Sequence, residues 1–414
     1  MTDHTKLAGG RLERLPGYLY LYFFCQSINL TAAVISVSMA ATVGNLIAPS
    51  ESLATLPYGM QFLILLFATY PVSMLMAKKG RKVGFIVGAV LLIAAGGVGY
   101  FAVVYQSFML LMISHALLGG FTACANYYRF AAVDKLSGKV KSRAVSLVIA
   151  GGLVAAFLGP TLTSLLHDID GFALFSLSYA ALSVLALVNL VLIVWLPKET
   201  LASSKPTQAK APLKVREMLQ DIPPKLLFAV LSAAIGFGIM NLLMIQSSIQ
   251  MHHMQVHFDH SSMAIQWHVV AMFAPSLVSG YLINYFGHQK IIACGFLLFI
   301  ATSVVNLMSA SYSSIVLSLV FLGLAWNFTY VGGSAYISVI LEGNENAKRW
   351  QGLGDTGMAI LAMLGAMSPA LLMSSIGWQG SNILAAMCVL ACILYQSYLW
   401  LKDKRAGLDL EKES

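Results

Sequence analysis

Charge is scarce in this chain. Asp, Glu, Lys and Arg make up 10% of 414 residues, where a water-soluble domain carries roughly 25%. Acids are rarer than cations, 17 against 25. No polar segment holds an acid cluster or a nucleophile–base pair, so a membrane-embedded enzyme has no evident chemistry here. No GxGxxG fingerprint and no phosphate-cradling loop occurs, which argues against an ATP-driven pump. No cleavable leader is expected. Residues 1–14 are polar and of mixed charge, and the apolar run from about residue 17 is too long for a signal h-region. Cysteines number five: Cys25, Cys124, Cys294, Cys388 and Cys392. All fall inside apolar runs and read as small buried hydrophobes, with no disulfide framework or metal spacing.

What the chain does have is apolar length. Hydrophobic residues make up 58% of it, more than a water-soluble core can hide, and a bilayer removes the problem by replacing water as the outer solvent. About twelve runs approach the ~20 residues that a spanning helix needs: 18–46, 55–77, 83–104, 107–129, 144–166, 172–196, 225–250, 262–286, 290–309, 313–340, 352–375 and 378–401. The stretch 197–224 differs, being rich in Lys, Ser, Pro, Gln and Glu, and reads as a linker. The expected organisation is an all-α membrane protein of twelve helices: a first half over 1–196, the linker 197–224, a second half over 225–401, and a tail over 402–414. With twelve spans both termini lie on one side, and all 25 Lys and Arg residues fall there. Only the acids Glu51, Asp168, Asp170 and Asp259 fall opposite. The positive-inside rule then makes the termini and linker cytoplasmic. Nucleic acid is not an expected partner despite the net charge of +8, because the cations sit in short turns rather than along one face.

One basic turn organises the chain. Ser73-Met74-Leu75-Met76-Ala77-Lys78-Lys79-Gly80-Arg81-Lys82 places four cations around a glycine between two apolar runs. A second copy, Gly280-Tyr281-Leu282-Ile283-Asn284-Tyr285-Phe286-Gly287-His288-Gln289-Lys290, lies half a chain later. Both resemble the loop between helices 2 and 3 of the major facilitator superfamily, Gly-x-Leu-Ala-Asp-Arg-x-Gly-Arg-Arg/Lys. The halves also match at Leu118-Gly119 and Leu322-Gly323, and at Arg143 and Arg349, which open the fifth and eleventh spans. Ala155-x3-Gly159-Pro160-x2-Thr163-Ser164 is similar to the family's helix 5 motif, with small residues that let backbones approach. Ala77 and Asn284 replace the family's Asp. His115-x-x-Leu118-Gly119 stands where drug:proton antiporters carry Arg-x-x-Gln-Gly, which separates the chain from standard members of that branch. Gln266-Trp267-His268-x4-Phe273-Ala274-Pro275-Ser276 and Trp326-Asn327-Phe328-x2-Val331-Gly332-Gly333 resemble a bacterial branch whose members include nutrient uptake proteins, some for riboflavin. That likeness leaves the substrate open.

The resemblance implies a monomeric secondary transporter of the bacterial inner membrane. It would move a small organic solute by alternating access, by symport or antiport with protons, and without a cofactor. A facilitative uniporter of a nutrient such as a vitamin, or a non-transporting sensor on the same scaffold, are the alternatives. The family's central cavity is lined by helices 1, 4, 7 and 10. In the fourth span His115, Gly119, Thr122, Asn126 and Arg129 share one helical face, and such a stripe in lipid should face the bundle interior or a wet cavity. Gln26, Asn29 and Ser36 give a matching face in the first span. The tenth offers Trp326, Asn327 and Tyr330, and the seventh Asn241 and Gln246. Each amide has two readings, substrate contact or interhelical hydrogen bond. Among ionisable groups, His115 and Asp355 are the candidates for proton coupling, and Arg129 with Asp355 for a cytoplasmic gate, with Glu342 and Glu345 as competing partners in a more solvated loop. His252, His253, His257, Asp259 and His260 form a histidine-rich outer loop. A solvated loop is the simpler reading, and no metal is expected.

The cation distribution gives a direct test of topology. A single cysteine placed at residue 259 should react with an impermeant maleimide in intact cells, and one at residue 207 only after permeabilisation. The opposite pattern would invert the topology.

Overall fold

The computed structural model describes residues 15–132, 136, 144, 147–197, 222–342, 344 and 347–413, with the side chains of residues 348, 349 and 406–413 outside that description. Arg143, Glu345, most of the 197–224 linker and the side chains of Lys348 and Arg349 therefore lie outside the described residues. The helices are α1 (Tyr18–Ile47), α2 (Leu56–Lys79), α3 (Arg81–Val104), α4 (Phe108–Ala125), α5 (Gly151–Leu166), α6 (Ser176–Trp195), α7 (Pro224–His253), α8 in two segments (Phe258–Phe273 and Ser276–Phe286), α9 (His288–Met308), α10 (Tyr312–Ile340), α11 (Ala347–Met367) and α12 (Pro369–Glu413). A short helical turn, Tyr128–Ala131, follows α4. No strand occurs among the described residues.

Among the described residues ten helices are long and apolar enough to cross a membrane, and the two segments of α8, bent by 43°, make an eleventh if taken as one span. The helix that falls short is α11. Its first turns carry Lys348, Arg349, Gln351 and Asp355, so composition alone undersells it. Its helical hydrogen bonding continues past Met367, from Ser368 N to the Leu364 carbonyl and from Leu372 N to the Ser368 carbonyl. The true break comes at Gly377, with φ 70° and ψ −176°, a conformation that glycine adopts without a Cβ penalty. Residues 369–376 thus prolong α11, and the twelfth span begins after Gly377.

The two basic turns have the same backbone. Gly80 has φ 87° and ψ 154°, and Gly287 has φ 85° and ψ 154°. Positive φ at both positions explains why each copy of the turn needs glycine. It also lets α2 pass to α3, and α8 to α9, without an intervening loop.

The helices pack as two groups, α1–α6 and α7–α12. One core cluster lies wholly within residues 19–196, built around Phe85, Phe121, Tyr128 and Tyr179. A second, around Phe228, Phe296 and Phe299, belongs to α7–α12 but takes in Val34, Val37, Ala40, Tyr58, Ala155 and Ala156 from the first group. The groups are joined by α5 against α8, α2 against α11 and α1 against α7, and among the described residues no comparable packing joins α4 to α10 or α11. Polar contacts across the seam gather at the ends away from the termini. Thr55 Oγ1 donates to the Met367 carbonyl at 3.1 Å, Ser262 Oγ donates to the Pro160 carbonyl at 3.2 Å, and Ser164 Oγ donates to Asp259. The structure is thus closed at the face opposite the termini.

Two cysteines depart from the sequence expectation. Cys25, Cys124 and Cys392 are buried, but Cys294 and Cys388 are exposed. Both sit on outward faces, where a bilayer would supply the apolar surroundings that the sequence seemed to require of a core.

Backbones approach closely where α7 crosses α11. A Cβ on Gly365 would meet the Gly238 carbonyl oxygen and lie 2.9 Å from Gly238 Cα. Backbone cannot move aside as a flexible side chain can, so Gly365→Ala should destabilise by about 1–3 kcal/mol. Gly352→Ala on the same helix meets nothing within 4 Å and should be neutral, or stabilising by up to about 1 kcal/mol. Thermal melting in detergent separates the two, and equal melting temperatures would refute the backbone contact.

Candidate functional site

Two polar and aromatic centres are built inside the spans, one in each group of helices. The first surrounds His115 on α4, which is 2% exposed. Its Nδ1 lies 3.5 Å from Ser36 Oγ on α1, and its Nε2 lies 3.2 Å from the Tyr179 hydroxyl on α6. Ser36 Oγ also donates to Gln61 Oε1 on α2 at 3.0 Å. Tyr58 presents its ring edge-on to the imidazole, with centroids 6.4 Å apart. Four helices thus meet at one imidazole, and its two nitrogens reach two hydroxyls that can both donate and accept. Gly119, one turn on, abuts the backbone of Gln61 on α2. This part of the stripe faces neighbouring helices. Thr122, Asn126 and Arg129 further along are half-buried. Thr122 Oγ1 donates to the Leu118 carbonyl of its own helix at 2.9 Å.

The second centre is aromatic. Trp326 and Tyr330 on α10 lie nearly parallel, at 9° with centroids 4.9 Å apart. Phe237 on α7 meets both edge-on, each at 5.6 Å. Phe273 on α8 meets Trp326 edge-on at 6.1 Å, and its ring lies against Gly152 on α5, so the cluster reaches the seam between the groups. The indole Nε1 of Trp326 is buried without a hydrogen-bond partner, as are Gln26 Oε1 and Asn29 Oδ1 on α1. A buried donor or acceptor left unpaired costs about 1–3 kcal/mol. These three atoms are therefore candidates for pairing with a solute.

The other amides bind neighbouring helices. Asn241 Nδ2 donates to the Ala362 carbonyl on α11 at 3.2 Å. Gln246 Nε2 donates to the Pro369 carbonyl at 3.2 Å and to Ser381 Oγ at 2.8 Å, although its Oε1 has no partner. Asn327 fastens α10 to the bend in α8. Its Nδ2 donates to the Met272 carbonyl and to Ser276 Oγ, each at 2.7 Å, while Ser279 Oγ donates to its Oδ1 at 2.7 Å. Pro275 removes a backbone donor at this bend, and Asn327 supplies two. Asn327 Nδ2 is thus fully committed within the protein.

At the end nearer the termini, Arg129 lies over the Phe130 ring with its guanidinium carbon 4.8 Å from the centroid. Its Nε has no hydrogen-bond partner. Asp355, across the seam on α11, is exposed and makes no ion pair with Arg129. Lys82 Nζ donates to the carbonyls of Val194 and Leu196 at 2.7 and 3.2 Å, capping the end of α6. Sequence reasoning missed Gln61, Tyr58 and Tyr179 around His115, and Phe237 beside Trp326. The polar three stood out only as isolated polar groups in apolar runs, and Phe237 gave no signal at all.

The profile of the Major Facilitator Superfamily matches residues 19–274 and again 226–414. The chain belongs to this superfamily and is a multi-pass membrane protein of a transporter family. It is 30% identical over 384 residues to the riboflavin transporter RfnT of Brucella anthropi, an alignment covering 93% of this chain and 96% of that one. It is 26% identical over 412 residues to an uncharacterised MFS-type transporter, YdeG of Bacillus subtilis, covering 92% of each. A second Bacillus subtilis transporter of that type, YddS, is 26% identical over 382 residues, covering 87% of this chain and 86% of its own. These relatives are transporters and not enzymes, and they imply a small-molecule substrate.

Proposed function

We propose that this chain carries a flat, polar organic solute across the bacterial inner membrane by alternating access, with riboflavin as the first candidate and protons as the coupling ion. The observation that carries the substrate class is the stack of buried Trp326 on half-buried Tyr330, with an unpaired indole N–H at the seam between the helix groups. Aromatic rings bind a planar heterocycle through its faces, and the free N–H fixes an edge of it. Gln26 and Asn29 on α1 would supply acceptors from the other side. The riboflavin transporter among the relatives supports the same class. Cytoplasmic termini follow the positive-inside rule, and residues 1–196 and 225–401 would rock as two bodies around the site.

Coupling is assigned to His115. Its two nitrogens face Ser36 and Tyr179, so a proton taken up on the ring has hydroxyl acceptors on two other helices. Protonation there would alter how α1, α2, α4 and α6 are held together. A facilitative uniporter has the same aromatic site and lacks this link.

Uptake of labelled riboflavin into proteoliposomes tests both assignments. Uptake should be saturable and should rise with an imposed proton gradient. Lumichrome, which keeps the fused rings, should compete, and ribitol should not. Trp326→Ala should raise KM about two- to tenfold, from a stacking contribution of about 0.5–1.5 kcal/mol. His115→Ala should abolish accumulation against a gradient and retain substrate exchange. Competition by ribitol alone would remove the stacking site, and normal accumulation by His115→Ala would make His115 structural.

Closure of the termini-side mouth is assigned to Arg129 and Asp355, one from each group. In the structure they stand apart while the opposite face is packed shut, the arrangement expected of a gate seen open. A cysteine at Thr122 should be labelled from the cytoplasmic side faster in Arg129→Ala and in Asp355→Ala than in the parent. The double swap Arg129→Asp with Asp355→Arg should recover part of the protection. A swap no better than either single variant removes the gate.

A further inference from the structure

The two basic turns share a backbone but not a surrounding. In the first group Lys82, two residues after Gly80, reaches across to the last carbonyls of α6 and closes the gap between α3 and α6. The residue at the same distance after Gly287 is Gln289. Its Nε2 turns inward to the Tyr336 hydroxyl on α10 at 3.1 Å, and its own carbonyl accepts from Gln396 Nε2 on α12 at 2.7 Å. No long cation bridges the gap here. A crevice of about 610 Å³ opens in its place, walled by Lys290 and Leu297 on α9, floored by Tyr336, and walled on the far side by Ile393 and Trp400 on α12.

Depth and chemistry both describe a place for one lipid. Residues 288–297 of the wall cover about 15 Å of α9 at 1.5 Å per residue, comparable with one leaflet of a hydrocarbon core ~30 Å thick. The deeper wall is apolar, with Leu297 64% exposed along it. Cations mark the end nearer the termini. Lys290 lines the crevice, and Lys404 Nζ lies over the Trp400 ring at 5.4 Å from its centroid. The neighbouring acid, Asp403, is already paired with Lys225 at 2.8 Å, so it does not offset those charges. Trp400 is 55% exposed, at the level where indole rings favour the membrane interface.

We propose that the crevice between α9 and α12 is a binding site for an anionic phospholipid, with the phosphate headgroup held by Lys290 and Lys404 and one acyl chain laid along Leu297 and Ile393. Basic pockets between helices on the cytoplasmic side suit such headgroups. The occupant comes from the bilayer and not from solution, because the apolar wall would otherwise face nothing that it can bind. Tyr336 forms the floor and lies on the same helix as Trp326 and Tyr330, so the lipid would touch the helix that carries the proposed substrate stack.

Detergent-purified full-length protein is titrated with phosphatidylglycerol or phosphatidylcholine bearing brominated acyl chains. Quenching due to Trp400 is read as the difference between the parent and Trp400→Phe. The phosphatidylglycerol curve should reach half-quenching at a several-fold lower mole fraction than the phosphatidylcholine curve. Lys290→Gln with Lys404→Gln should bring the two curves together. Ala293→Phe, which fills the crevice and leaves both cations in place, should suppress the Trp400 quenching by either lipid, and it serves as the second variant if the double one elutes as aggregate. Coincident curves in the parent would mark ordinary annular lipid and overturn the site. A preference that survives both variants would overturn it as well. Displacement of phosphatidylglycerol by inorganic phosphate would assign the cations to a free anion and overturn the lipid.

Discussion

Hydrocarbon forms no hydrogen bonds, and this one fact governs where every polar group in the chain sits. Backbone polarity is consumed by helices. Side-chain polarity has to find a partner, on its own helix or on another, or remain unpaired at a cost. The structure meets the demand with a few bolts that join helices far apart in sequence. Asn306 Nδ2 donates to Asn382 Oδ1, Asn189 Nδ2 donates to the Tyr128 hydroxyl, and Trp378 Nε1 donates to the Asn306 carbonyl. Asn327 at the bend of α8 belongs to this set. Such contacts are worth about 0.6 kcal/mol on average in a membrane protein, so they select an arrangement of helices more than they hold it by force. The unpaired atoms of Trp326, Gln26 and Asn29 belong to a larger set of buried polar atoms that the fold leaves without a partner, Gln246 Oε1 and His268 Nε2 among them.

Much of this was legible beforehand because membranes simplify sequence. Long apolar runs announced the spans. The glycines of the repeated turn were readable because positive φ at Gly80 and Gly287 restricts the residue type. A helix around Asp355 was expected although its composition is polar, since the count of spans and the cation pattern required one there; α11 begins at Ala347, five residues before the expected 352. Sequence could not say which way a polar face turns. Spacing put His115 and Gly119 on one face of α4, but it carried no information on whether that face meets a cavity or α2. Burial of Gly119 against Gln61 is a property of two helices at once. Asn241, Gln246 and Asn327 were ambiguous for the same reason, since an amide that binds a solute and one that binds a neighbouring carbonyl look identical in a single chain.

Duplication and divergence then share the labour between the halves. The turns at Gly80 and Gly287 keep one backbone, yet the first group closes its outer gap with Lys82 and the second leaves a crevice. The first group places its buried hydroxyls around an imidazole, and the second places stacked rings around an unpaired indole N–H. A symmetric scaffold supplies two equal bodies that can rock, but a carrier also needs the bodies to differ. Coupling free energy exists only where the ion and the solute favour the same arrangement of the halves. Under the proposed coupling, separate centres would satisfy that condition because both border one seam. Phe273 connects the aromatic cluster to Gly152 on α5, and Ser36 connects the imidazole to α1, which packs against both α5 and α7. Under the proposed function, movement at that seam would alter the surroundings of both centres together, so that protonation and solute binding would bias a single equilibrium without direct contact between proton and solute.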